Sequence, residues 1–369
     1  MLTKEKIIDV LKTIKYPGFS RDIISFGLVK NIEISDNSIN LFLSLKSNNG
    51  DVVKELEEKI HNIIKKELFV DDIKINIDLS DMEPSSQKSR IEGIKKIIAV
   101  GSAKGGVGKS TIAINIASQL SKGNAVGFLD LDIYGPSLPL MIGVDRAPEI
   151  IGQKLIPIEK YNMKLMSFGF LNQADSPAIW RGPMVAKLTN QFFDNVDWGD
   201  LDYLVIDLPP GTGDIQLTLA QKLSLDGIVM VTTPQELSLQ DVRKGSEMFR
   251  KVNVPILGIV ENMSKISIPG KFIPNKELES LGGKIIIDNK EFLVNRDGSF
   301  KFEYNIFDGP GGISESNRLD VPLLGKILLD QRLCSSGDNG TPFVFEHSNS
   351  SIADEFQKIE ILIEKELNA

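Results

Sequence analysis

The stretch VGSAKGGVGKSTIAINIA, residues 100–117, constrains this chain more than any other. An apolar run, KIIAVG, leads into Gly105, Gly106 and Gly108 and then into KSTIAINIASQL, which has helical spacing. Glycines let successive backbone N–H groups turn inward, and a helix N-terminus adds positive partial charge, so the loop is shaped for the phosphates of a nucleotide. In that reading Gly105, Gly106, Val107 and Gly108 form the cradle and Lys109 reaches the β and γ phosphates. Ser110, with Thr111 beside it, brings a hydroxyl to Mg²⁺. Two departures from the strict pattern matter: Ala103 stands where glycine is usual, and a second lysine, Lys104, precedes the glycines.

Four further apolar runs, AVGFLDLD, DYLVIDLP, GIVMVTTP and PILGIVEN, each end in turn or charged residues. Nearly continuous apolar strands alternating with helical segments predict a parallel sheet covered on both faces, with ligands beyond the carboxyl ends of its strands. Asp130 and Asp132 close one such strand and Asp207 another. Asp207 fits the role of holding Mg²⁺ through water, and Asp132 that of orienting the attacking water. For a single aspartate a helix cap is the alternative.

Residues 1–80 read as αββαβ. Ile7, Ile8, Leu11 and Ile14 make one helical face, LVKNIEIS and INLFLSLK alternate, 52–64 repeats at helical spacing, and IKINIDL alternates again. The polar segment 81–94 is the expected linker, and 95–369 the larger unit. The expected fold is therefore α/β, a mostly parallel sheet with helices on both faces, preceded by a small α+β domain. Alternation and an NRDGS turn near 283–305 predict an inserted β-meander.

Of the 369 residues, 41% are hydrophobic and 25% charged, the balance of a soluble globular protein. The net charge of −8, with no basic block, argues against a nucleic-acid partner. No apolar run approaches 18 residues and the start has no signal-like core, so we expect no membrane partner and a cytoplasmic location. The single cysteine, Cys334, permits no intramolecular disulfide. The last helix, SIADEFQKIEILIEKEL, is acidic. Its stripe of Ile352, Phe356, Ile359 and Leu362 is expected to pack on the domain, unlike a basic lipid-binding helix.

With Lys104 ahead of the glycines, KGGVGKST resembles the deviant phosphate loop of the MinD/ParA class of P-loop NTPases. That resemblance implies that Lys104 crosses a dimer interface to the partner's phosphates, somewhat as an arginine finger does. The implied assembly is a nucleotide-sandwich homodimer with Lys104, Lys109 and Asp132 as its catalytic set. FLDLDIYGPSLPLMIG, the WRGPM segment, TTPQELSLQDVRKGSEMF and VENMS are similar, in order and spacing, to the Mrp/ApbC family of iron–sulfur cluster carrier ATPases across 95–345. RDIISFGLVKNIEI resembles the small iron–sulfur assembly domain that precedes many of them, with YPGF where Asp-Pro-Glu is common.

The family implies ATP and Mg²⁺ as cofactors, a transient iron–sulfur cluster as cargo, and apoprotein clients or cluster donors as partners. By matching motif, Asn262 would hydrogen-bond adenine and Gly211 would sense the γ-phosphate. The family follows ENMS with Cys-Pro-x-Cys, whereas here Ile268 and Lys271 stand about Pro269 in what reads as a turn. Cys334, placed in a loop, is then the one cluster contact the chain can offer, an incidental thiol being the alternative. Two other functions stay open: a MinD/ParA-type positioning ATPase, and a nucleotide-switched regulatory module that has lost cluster binding.

Overall fold

The computed structural model describes residues 2–14, 22–25, 27–35, 38–44, 50–70, 72–78, 90–133, 135–171, 191–273, 283–287 and 290–369. The YPGF and WRGPM segments and most of the expected linker lie outside the described residues. The chain divides into two compact units, Met1–Gln87 and Lys88–Ala369.

In the first unit the order is α1 (Lys4–Leu11), β1 (Val29–Ser35), β2 (Ser38–Ser44), α2 (Gly50–Leu68) and β3 (Asp72–Asp78), the αββαβ of the sequence pattern. β2 pairs antiparallel with β1 and parallel with β3. Ile7 and Leu11 of α1 and Leu56, Ile60 and Ile64 of α2 recur at helical spacing, so each helix turns one apolar stripe onto Ile32, Ile39, Leu41 and Leu43. The Thr3 hydroxyl caps α1 by accepting the N–H of Lys6 at 3.4 Å.

The second unit is built on eight strands: β4 (Ile94–Gly101), β5 (Val126–Asp130), β8 (Ile158–Lys160), β9 (Met163–Ser167), β10 (Leu201–Asp207), β11 (Gly227–Thr232), β12 (Ile256–Glu261) and β17 (Leu323–Lys326). They lie in the order β17-β12-β11-β4-β10-β5-β9-β8, parallel throughout except for the edge pair β8–β9. A separate small antiparallel pair joins β6 (Glu149–Ile151) to β7 (Lys154–Ile156). Helices α3 (Lys109–Leu120), α4 (Leu138–Met141), α5 (Phe168–Leu171), α6 (Asp214–Lys222), α7 (Glu236–Lys251), α8 (Gly311–Leu319), α9 (Gln331–Asp338), α10 (Phe343–Glu346) and α11 (Ser351–Leu367) also belong to this unit.

Alternation along the central strands divides the helices between the two faces. Ile98 and Val100 of β4 and Val205 of β10 share a core with α3 and α11. Ile97 and Ala99, with Leu204 and Ile206, share the other with α6, α7 and α8. Ile352, Phe356, Ile359 and Ile363 are the buried stripe of α11, with Leu362 only partly buried.

Three expectations need correction. Ile268 and Lys271 are not in a turn: they lie in β13 (Ile266–Lys271), opposite Phe302 and Ser299 of β16 (Ser299–Tyr304). The expected meander near 283–305 is instead two separate antiparallel pairs: β14 (Gly283–Ile287) pairs with β15 (Lys290–Val294), while β16 pairs not with β15 but with β13, which begins at 266. Cys334 is in a helix, α9, not a loop; the Asp330 carboxylate accepts the N–H of Arg332 at 2.9 Å and so caps its first turn.

Candidate functional site

β4 and β10 are neighbours in the sheet, so the segments leaving their carboxyl ends face one another. The loop after Gly101 turns into α3 with Gly106 at φ 80° and Gly108 at φ 79°, left-handed backbone that glycine adopts freely. A Cβ on Gly108 would also overlap Asn262 Nδ2. At Gly105 and Gly106, by contrast, a Cβ would meet nothing within 4 Å. That open side adjoins the N-terminus of α3, where Gly108 supplies no side chain to cap the backbone N–H groups. An anion of phosphate's kind fits there.

Lys109, 6% exposed, pairs its Nζ with Asp207 Oδ1 and donates to Ser110 Oγ at 3.1 Å. Asp207 is 1% exposed, and its second oxygen, Oδ2, is buried without a hydrogen-bond partner within bonding geometry. Burial lifts its pKa above the usual carboxylate range, against the opposing pull of Lys109. A buried, unpartnered carboxylate oxygen with a serine hydroxyl close by is a hard-oxygen donor set that suits Mg²⁺.

The two aspartates after β5 differ in role. Asp130 is fully buried and accepts three bonds, from Asp132 N–H at 3.0 Å, Leu138 N–H at 3.2 Å and the Ser167 hydroxyl at 2.9 Å. Burial, and then the charge of Asp207, push its pKa up to about 7. Asp132 is half-buried, accepts the Gly135 N–H at 3.2 Å, and is close enough to raise the pKa of Asp207. Asp130 thus anchors the turn from which Asp132 faces the site.

Asn262 is buried at the end of β12. Its backbone N–H donates to Thr232 O at 2.8 Å and its side-chain Nδ2 to Val107 O at 2.9 Å, so its amide holds the glycine loop. Met263 follows at φ 54°, a strained conformation for a non-glycine residue that persists where the surroundings over-determine it. Gly211, at φ 108°, donates its N–H to Ser102 O at 2.9 Å, and Ser102 Oγ donates to Lys104 O at 2.9 Å. Thr111 O accepts from Asn115 Nδ2 at 2.8 Å, and Asn115 Oδ1 accepts the Val344 N–H at 3.0 Å. Lys104 Nζ donates to Gln235 Oε1 at 3.5 Å.

Ser102, Asn115, Ser167 and Gln235 escape sequence reasoning, since a polar residue after a strand or within a helix carries no signal of its distant partner. Ala103 has a packing role. A Cβ on Gly245 of α7 would lie 3.2 Å from Ala103 Cβ, so the alanine methyl fills room that the helix glycine leaves. Outside this constellation, Cys334 is exposed on α9 and Ile268 is 52% exposed on β13.

Comparison with known proteins places the chain in a family. The ParA family profile described as NUBPL iron-transfer P-loop NTPase matches residues 93–283. An iron–sulfur cluster carrier protein of Helicobacter pylori is 37% identical over 371 residues, 97% of this chain and 91% of its own. The iron–sulfur cluster transfer protein NUBPL of Mus musculus is 40% identical over 267 residues, 71% of this chain and 75% of its own. A nucleotide-binding protein from Archaeoglobus fulgidus, solved in complex with ADP, superposes with a TM-score of 0.55 at 31% identity, over 72% of this chain and 94% of that one. Matched by that profile over half its length and aligned along nearly all of it with a carrier protein, the chain belongs to the NUBPL/Mrp family of ParA-type iron-transfer P-loop NTPases.

Proposed function

We propose that this chain is an ATP-hydrolysing iron–sulfur cluster carrier or assembly factor that works as a nucleotide-sandwich homodimer. The observation that carries the nucleotide part of the reading is the buried meeting of Lys109, Ser110 and Asp207 behind an open glycine loop, and the cluster part rests on the family. The N–H groups of 105–111 would hold the phosphates, and Lys109 would exchange Asp207 for the β and γ phosphates. Ser110 and Asp207 would hold Mg²⁺, which neutralises charge on the phosphate oxygens when bound. Asp132 then orients the attacking water, Gly211 senses the γ-phosphate, and Asn262 serves the adenine from the edge of the loop it ties down. Lys104 acts on the phosphates of the partner copy.

The cluster is cargo. Ile268 and Lys271 replace the family's cysteines, so two copies bring two thiols at most, both Cys334, whereas four ligands are usual. The remaining ligands come from an apoprotein client, a cluster donor or a small thiol. No helix among the described residues is long and apolar enough to cross a membrane. We assign the cytoplasm because a lone exposed thiol suits a reducing compartment. A positioning role on lipid is disfavoured because the apolar stripe of α11 is spent on the core. The absent cysteines favour one second reading, a nucleotide-switched module without cluster chemistry.

Titration calorimetry with ATP and Mg²⁺ tests the nucleotide site. Binding by the wild type and none by Lys109→Ala is the expected result, and wild-type affinity in that variant overturns the assignment.

A further inference from the structure

Lys104 is the residue to which the dimer reading gives its role in trans, yet in the single protomer it has a contact in cis. Its Nζ donates to the side-chain oxygen of Gln235 at 3.5 Å, a long and therefore weak bond. Gln235 is the N-cap residue of α7, and its side chain makes no capping bond to that helix. Its amide oxygen is thus available to a cation. The backbone on both sides of this contact is fixed. Ser102 Oγ holds the Lys104 carbonyl at 2.9 Å, and Ala103 rests against Gly245 of α7, the helix that Gln235 begins. The two backbone segments that carry the lysine and the amide are therefore held beside each other.

We propose that Gln235 is a positioning residue that holds Lys104 in the free protomer, so that the amide competes with the partner's phosphates for the same ammonium. The inference rests on the reading that Lys104 acts across a homodimer. Chemistry favours the exchange. The ammonium leaves a neutral acceptor at long range for phosphate oxygens bearing charge, which bind it more strongly. Assembly of one dimer frees two such contacts, one per copy, so each change in the cis contact counts twice in the dissociation constant. Gln235 thereby sets the protein concentration at which ATP-bound copies pair.

The test is the dimer dissociation constant in Mg²⁺ and ATP by sedimentation velocity, for Gln235→Ala and Gln235→Glu in the full chain. Glutamate turns the neutral acceptor into an exposed ion pair, and such a pair changes an equilibrium by about threefold. Counted twice, dimerisation weakens by about tenfold. Alanine removes the acceptor and tightens dimerisation by several fold, while ATP affinity of the dilute protomer stays at its wild-type value. In a Lys104→Ala background both substitutions lose their effect. Shifts of the same sign, or shifts that persist without Lys104, overturn the holding role alone. A wild type that stays monomeric with ATP overturns the dimer reading, and this role with it.

Discussion

Removing the Lys109 ammonium has a cost that appears before any nucleotide is added. Lys109 and Asp207 are paired with side-chain exposures of 5% and 1%. Deleting one member of a buried pair leaves an uncompensated charge and costs about 3 kcal/mol. The unit that contains them spans Lys88–Ala369, and at about 2.1 cal/mol/K per residue its unfolding entropy is about 0.6 kcal/mol/K. Lys109→Ala should therefore lower the midpoint of nucleotide-free thermal unfolding by about 5 °C near pH 7. Adding Asp207→Asn removes the stranded charge and should return about half of that loss. The deficit of the single variant should also shrink on acidification, because a protonated Asp207 no longer needs its partner. Circular dichroism of the full chain, following the main transition, measures all three. An unchanged midpoint in Lys109→Ala, or a double variant no better than the single one, refutes the claim that this pair stores the lysine at an energetic cost.

Lys104→Ala should retain most nucleotide affinity yet slow turnover by up to ~10³-fold, and wild-type turnover per subunit should rise with protein concentration; a steady-state assay over a dilution series checks both. Gly108→Ala places a methyl on left-handed backbone and against Asn262, so ATP affinity should fall by about tenfold or more in a protein that still folds, as read by calorimetry. Asp130 has its pKa raised in the folded state to about 7, so the native protein binds the extra proton between the unfolded value and that one. Its contribution is full below pH about 4 and is lost as pH rises towards about 7. Asp130→Asn should flatten that part of the stability profile in denaturant titrations, and an unaltered slope counts against the assignment.

The five strands that position the site were legible because each is largely buried on both faces and reads as a nearly continuous apolar run. β9, with Lys164 as its second residue, was not: that lysine reaches the Trp198 carbonyl at 2.7 Å, a partner far along the chain. β17 is four residues with a glycine, too short for any period to show. Pro269 and Gly270 read as a turn because their local preference is for one. The strand that overrides it, β16, comes some thirty residues later, and Gly270 is needed where the Phe300 ring covers it. The glycine loop and the three aspartates were readable since chemistry fixes their residue types and fold fixes their places at strand ends. The bonds of Asn262 to Val107 and Asn115 to Val344 join residues with no sequence relation, so they enter only with the coordinates.

Anaerobic reconstitution with iron and sulfide counted per subunit, with and without ATP and added glutathione, tests the carrier account most directly. The account predicts no chelator-resistant cluster on the chain alone. With glutathione it predicts a labile cluster that Cys334→Ser loses. A full, chelator-resistant cluster without added ligands contradicts the reading of Ile268 and Lys271, and equally poor loading of wild type and Cys334→Ser under every condition contradicts the carrier role.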